Sequence, residues 1–424
     1  MGWVSGAGVG QRAGGQGRQR PTLNELFERG DFDAFERLGP PELASRRTLK
    51  WSRYGPEVLA AWVAEMDFPS ASSVLEAISE ALQREELGYP ALDSQSGLPE
   101  AVARFQMRRF GWQVDPEWVR VVPDVLKGVE LALRHLTPPG SPFVLPTPAY
   151  MPFFELPGVL GRQMVQVPTL VDPDGTRRLD YQAIAQALDQ GAASVLLCNP
   201  YNPLGRCLEA EELARLGEVV SARSARVIAD EIHAPLTYSP SRHVPYASLS
   251  AETAAHAVTM VSASKAWNLP GLRCAQVILT SEADRQRWGR ISTLETHGAS
   301  TLGIRASVAA YELGEPWLES ALTYLDANRR LLGELLAHHL PEVGYRPPEA
   351  TYLAWLDCRS LGLEQEPAEF FLRRAKVATN PGPAFGGDGP GHLRFNFATS
   401  QRVLEAMVEA MGDAVCAHRQ GRRE

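Results

Sequence analysis

Cysteine is scarce in this chain, and what there is lies scattered: Cys198, Cys207, Cys274, Cys358 and Cys416, an odd number with no C-x-x-C pair. That pattern argues against a disulfide framework and against a structural zinc, so no metal is expected and the thiols read as reduced, as in the cytosol. Long apolar runs are missing too. None approaches the roughly 18 to 20 residues of a membrane span, and the opening residues hold no continuous apolar segment of the secretory kind. A cytoplasmic protein that meets no membrane is expected. Positive charge is also short, with 42 Lys and Arg against 50 Asp and Glu and a net charge of −8. Nucleic acid and anionic lipid select basic surfaces, so neither is expected as a partner, and an enzyme acting on a small molecule fits better.

What is present is an ordinary globular composition, 44% hydrophobic and 22% charged, over 424 residues. That length suffices for two packing units. Residues 1–20, "MGWVSGAGVGQRAGGQGRQR", are the exception, too poor in apolar side chains to offset the entropy of ordering them. A disordered tail is expected there, because its glycines lack the preceding strand and following helix of a phosphate loop.

Between Trp118 and Thr280 come seven short apolar or β-branched runs: "WVRVVP", "PFVLPTP", "QMVQVP", "SVLLCNP", "ARVIADE", "AVTMVSAS" and "CAQVILT". Helix-like segments separate most of them, such as "EAEELARLGEVVSARS", which brings Leu213, Leu216 and Val220 onto one face. Continuous apolar strands alternating with helices predict an α/β fold with a seven-stranded, mainly parallel sheet covered on both faces. After Glu315 a long helical stretch carries Leu318, Leu322 and Leu325 on one face. It is followed by strand-like "TYLAWLD", helical "PAEFFLRRAKV", a loop dense in Gly and Pro, strand-like "LRFNFAT" and a last helix, which make a second, smaller α/β unit.

Three strand ends of the large unit stop on polar residues: "LLCNPYNPLGR", "VIADEIHAP" and "VSASKAW". In a parallel sheet their carboxyl ends deliver Asn202, Asp230 and Lys265 to one rim, where ligands gather. A lysine desolvated there becomes a nucleophilic amine able to form a Schiff base with a carbonyl. An aspartate can hold a heteroaromatic nitrogen protonated, and an amide can hydrogen-bond a ring oxygen.

In order and spacing, "NPYNPLGR", "ADEIH" and "SASKAWNLPGLR" resemble the fold-type I pyridoxal-phosphate enzymes of the class I/II aminotransferase superfamily, whose fold is that of aspartate aminotransferase. "LKWSRYG", "AAWVAEMDFPSA", "LGYP", "PTPAYMPFF" and "EATYLAWLD" resemble its cystathionine β-lyase branch, the bacterial carbon-sulfur lyases. The resemblance implies an N-terminal arm with part of the small domain over residues 21–70, a large cofactor-binding domain over 71–315 and a small domain over 316–424. It implies pyridoxal 5'-phosphate as cofactor, with Lys265 as Schiff-base lysine and proton shuttle, and Asp230 on the pyridinium nitrogen. Asn202 and His233 lie near the ring oxygen, and Tyr150 stacks on the ring. The phosphate is taken by the N-H groups of Val125 and Leu126, by Ser262 and Ser264, by Arg273, and by Tyr89 from the neighbouring subunit, which requires a homodimer with shared active sites. Arg394 clamps the substrate carboxylate as a planar fork, with Val63, Ala64 and Asn202 nearby.

Asp124 stands where the lyases commonly have Gly, so its charge must turn away from a phosphate. Arg273 is more typical of the aminotransferases. The implied reaction is β-elimination from cystathionine or another S-substituted cysteine, giving a thiol, pyruvate and ammonia. Transamination by the same residues is the alternative, and a non-catalytic, ligand-responsive module is a third reading.

Overall fold

Valine, isoleucine and leucine crowd the seven runs, and in the computed structural model, which describes residues 33–421, all seven become strands of one sheet. They are β1 (Val119–Val122), β2 (Phe143–Thr147), β3 (Met164–Pro168), β4 (Ser194–Cys198), β5 (Arg226–Asp230), β6 (Ala257–Val261) and β7 (Ala275–Leu279). Across the sheet the order is β1-β7-β6-β5-β4-β2-β3. Only β7 runs antiparallel, pairing Val277 with Arg120 on one side and with Met260 on the other. Every residue of β2, β4, β6 and β7 is buried, as a sheet covered on both faces requires. The expectation for residues 1–20 lies outside the described residues.

Side chains alternate between the faces along each strand. Leu196, Ile228, Met260 and Val277 pack with Val129 and Leu133 of helix α1 (Val125–His135) into one core cluster. Val195, Leu197, Val227 and Ala229 point the other way, into a larger cluster that includes Leu213, Leu216 and Val220 of α2 (Ala210–Ser221). That cluster continues without a break into the C-terminal unit.

There, β8 (Gly344–Tyr345), β9 (Leu353–Asp357), β10 (Asn380–Pro381) and β11 (His392–Asn396) form an antiparallel sheet in the order β8-β9-β11-β10. The long helix Glu315–His339 buries Leu318, Leu322 and Leu325 and packs along the final helix Gln401–Gly421. Upstream, Leu59–Ala60 pairs in parallel with Val377–Ala378, so the chain before residue 70 is tied to this unit. Among the described residues no helix is long and apolar enough to cross a membrane.

Topology sets the place of the chemistry. Because β1, β2, β4, β5 and β6 run the same way, their carboxyl ends share one rim, and antiparallel β7 adds the residues at its start.

Candidate active site at the carboxyl rim of the sheet

Beyond β6 the chain turns at Ser262, whose hydroxyl accepts from the Ser264 N-H at 3.0 Å and caps the single helical turn Ala263–Ala266. This turn lifts Lys265 over the rim. Its ammonium donates to the Ala64 carbonyl at 2.9 Å, and no carboxylate lies within ion-pair distance of it among the described residues. Burial pushes the Lys265 pKa down to about 8, helped by the nearby Arg394 cation and opposed by Glu65 and Asp230. A substantial neutral fraction near physiological pH follows.

Asp230 ends β5 and is buried, with one oxygen accepting the Ile232 N-H at 3.1 Å. Burial raises its pKa to about 7, while that N-H and Lys265 pull it down. Such a carboxyl group gains from a cation beside it. His233 is buried and pushed down to about 3, first by burial and then by the Lys265 and Arg394 charges, so its imidazole is neutral. Its Nδ1 is buried without a hydrogen-bond partner.

Arg394 reaches this rim from β11. It donates to the Asn202 side-chain oxygen at 3.0 Å, the Trp62 carbonyl at 3.1 Å and the Asn380 side-chain oxygen at 2.7 Å. Its Nε is buried and has no partner. Burial lowers its pKa to about 10, which leaves it a cation. Since Asn202 spends its oxygen on Arg394, its amide N-H groups are what it can offer a ligand oxygen.

One cavity of about 130 Å³ is lined by Val125, Leu126, Tyr150, Asn202, Asp230, His233, Ser262, Ser264, Lys265 and Arg273, together with Asp124 and Ala64. Where Val125 and Leu126 line it α1 begins, and there the first N-H groups have no intrahelical acceptor and the helix dipole favours an anion. Asp124 lines the cavity too, and its carboxylate engages the same donors. One of its oxygens caps α1 by accepting the Lys127 N-H at 2.8 Å, and the other pairs with Arg273 at 2.8 Å. Arg273 stands in the left-handed region at φ 47°. Ser262 is less available than expected, since its own proton goes to the Cys274 carbonyl at 2.7 Å.

Three expected residues do not line the cavity: Arg394, which bonds to its Asn202, and Tyr89 and Val63. Tyr89 is fully exposed beside exposed Leu87 and Leu92 and lines a different surface hollow with Gly88 and Thr301. Val63 does not line the cavity, and its carbonyl accepts from Asn396 at 2.6 Å. The same stretch still crosses the site, through the carbonyls of Trp62 and Ala64. Sequence reasoning missed four neighbours. Tyr352 donates to the Ala64 carbonyl that Lys265 also uses, Asn380 and the Trp62 carbonyl hold Arg394, and Asn268 bonds both backbone groups of Met66. Tyr352 and Trp62 sit inside "EATYLAWLD" and "AAWVAEMDFPSA", so the motif was a signal without a role attached.

The donor set suits pyridoxal phosphate. A helix start, Ser264 and Arg273 would suit an anionic end. Asp230 would suit a ring nitrogen, amide and imidazole groups with unused hydrogen-bonding capacity would suit a ring oxygen, and a depressed lysine amine would suit an aldehyde.

A family model described as aminotransferase class I and II matches residues 63–411. The chain is 40% identical over 366 residues to cystathionine beta-lyase of Corynebacterium glutamicum, covering 86% of this chain and 95% of that protein. It is 33% identical over 380 residues to cystathionine beta-lyase PatB of Bacillus subtilis (strain 168), covering 87% and 95%. The solved structure of the PLP-bound C-S lyase from Staphylococcus hominis superposes with a TM-score of 0.82 at 28% identity, over 87% of this chain and 96% of that one.

Proposed function

The chain belongs to the aminotransferase class I and II family, and we propose that it works there as a pyridoxal-phosphate-dependent carbon-sulfur β-lyase. It cleaves cystathionine or a related S-substituted cysteine to a thiol, pyruvate and ammonia. One observation carries the chemistry: Lys265, its pKa brought down to about 8 and without a paired carboxylate, shares a cavity with Asp230, beside Arg394 and its unpartnered Nε. The choice of lyase within the family rests on relatives at 40% and 33% identity along nearly their full length.

Pyridoxal phosphate, when bound, supplies the electron-accepting ring that takes up the pair left at Cα. Val125, Leu126, Ser264 and Arg273, with Ser262 behind them, hold its phosphate, and Tyr150 covers its ring. Asp230 keeps a proton on the ring nitrogen, and Asn202 and His233 hold the ring oxygen. Arg394 grips the substrate carboxylate through its planar fork, while Ala64 borders that end. Lys265, as the neutral amine, takes the Cα proton, and the sulfur leaves Cβ with the bonding pair as a thiolate. Water then hydrolyses the three-carbon remainder to pyruvate and ammonia. The protein's share is orientation, together with charges placed in advance around the reacting atoms.

The active form is a homodimer in which Tyr89 serves the partner's phosphate site, and its full exposure here, with Leu87 and Leu92 beside it, supports that reading. Residues 71–315 act as the large domain and 316–424 as the small one, with 21–70 as an arm joined to the latter. The enzyme works in the cytoplasm, where five unpaired cysteines would stay reduced.

The test is to load the protein with pyridoxal phosphate, add cystathionine alone, and assay pyruvate and free thiol. Equimolar release of both is expected. Consumption of an added keto acid with no thiol released would overturn the lyase reading in favour of transamination.

A further inference from the structure

Arg394 and Trp355 are direct partners across β11 and β9, so their side chains leave the sheet next to one another on one face. A third residue touches both. Phe385 closes the turn Gly382–Phe385 in the glycine-rich loop, fully buried, with its ring centre 5.1 Å from the Arg394 guanidinium carbon and 5.2 Å from the Trp355 ring. Trp355 is backed in turn by His392, stacked at 5.2 Å. The guanidinium therefore has an aromatic ring against it in addition to its three oxygen acceptors.

The loop that carries Phe385 is seated on the large sheet. The Phe385 carbonyl accepts the Ala149 N-H at 2.8 Å, one residue before Tyr150. Gly386 and Gly387 take φ values of 69° and 59°, and a Cβ on them would lie 2.6 Å from the Phe154 ring and 3.0 Å from the Thr147 hydroxyl. Only glycine lets the backbone come so close. Beyond them Asp388 forms a two-bond ion pair with Arg177, one bond at 3.0 Å and the other to Nη2.

We propose that Phe385 is a positioning residue for Arg394, holding the plane of the guanidinium so that its fork meets the substrate carboxylate, and that the Arg177–Asp388 pair holds Phe385 in place. Oxygen acceptors at both terminal nitrogens draw the guanidinium towards its neighbours. The face of the Phe385 ring, 5.1 Å from the guanidinium carbon, limits how far that group can swing, and such a contact is stronger away from water. The proposal deepens the functional reading above and rests on its assignment of Arg394 to the carboxylate.

The test is spectroscopic titration of the cofactor-loaded enzyme with two probes that undergo no elimination. One is 2-aminoisobutyrate, which has a carboxylate and no Cα proton; the other is isopropylamine, which has no carboxylate. In Phe385→Leu the apparent Kd for 2-aminoisobutyrate should rise about tenfold, while that for isopropylamine changes by less than about twofold. Phe385→Tyr should bind both like the parent. Asp388→Asn, which keeps the Phe385 side chain but loosens its hold, should weaken 2-aminoisobutyrate selectively by about threefold and keeps the test open if the leucine variant fails to fold. Unchanged binding of 2-aminoisobutyrate in these variants, or equal weakening of both probes, would overturn the proposal. Neither probe needs a thioether to break, so the outcome stands apart from whether the wild type releases thiol.

Discussion

Buried Lys50 and half-buried Lys265 reach adjacent carbonyls of the same stretch of chain, Glu65 (3.1 Å) and Ala64 (2.9 Å), and their counter-ions differ. Lys50 also meets the Asp67 carboxylate at 2.9 Å, with both side chains almost wholly inaccessible, and Trp51 donates to the second Asp67 oxygen at 2.7 Å. Among the described residues Lys265 has no such counter-ion, and it lines a cavity. The first is a paired charge that ties the arm around residue 50 to the 62–68 crossing. The second is an amine whose charged form is disfavoured and whose neutral form is therefore reactive. Burial alone does not make a lysine a nucleophile; burial without a carboxylate does.

The sharpest break in that contrast is Lys265→Ala, which should lower thiol release from cystathionine by about 10⁴-fold or more while the far-ultraviolet spectrum stays native. Next is Lys50→Met, which strands the Asp67 carboxylate in the interior. It should lower stability by about 3–5 kcal/mol in denaturant unfolding, and Lys50→Met with Asp67→Leu should recover much of that loss.

Lys265→Met should have the opposite sign in the cofactor-free protein. The folded pKa of Lys265 is lowered from 10.5 to about 8, so between those values the unfolded chain holds a proton the folded chain has released, and stability rises with pH. The penalty of a desolvated ammonium is thus fully present below about 8 and gone above about 10.5. Replacing it should stabilise the apo-protein by about 1–3 kcal/mol at pH 7, with the gain shrinking across that window. A gain that does not change between pH 7 and 10.5 would remove the electrostatic explanation. The smallest effect is kinetic. Cofactor capture, followed by absorbance, should quicken about tenfold per pH unit up to about pH 8 and then level, because only the neutral amine attacks.

The strands and their polar ends were legible because both depend on near neighbours in sequence. An apolar run of four or five residues bounded by breakers reads as a buried strand, and a polar residue just past its end reads as a rim group. Asn202, Asp230 and Lys265 were accessible on that basis. Arg394 was reached only through resemblance, since nothing in "HLRFNFAT" says that its arginine crosses to Asn202 in the other unit. Ser262 was read as a phosphate ligand and lines the cavity, yet the structure gives its proton to the Cys274 carbonyl, just before a neighbouring strand. Phe385 was hidden inside a segment that reads as a loop of glycine and proline.

By itself, then, the sequence determined the seven strands, the rim on which the polar groups stand and the class of chemistry they suit, because periodicity and strand ends are local properties. Only the tertiary structure decided which lysine is left without a paired carboxylate, which oxygens hold Arg394 and which ring lies against it. Those outcomes depend on segments far apart in the chain arriving at the same few ångströms, where electrostatic and packing energies are set by distance in space.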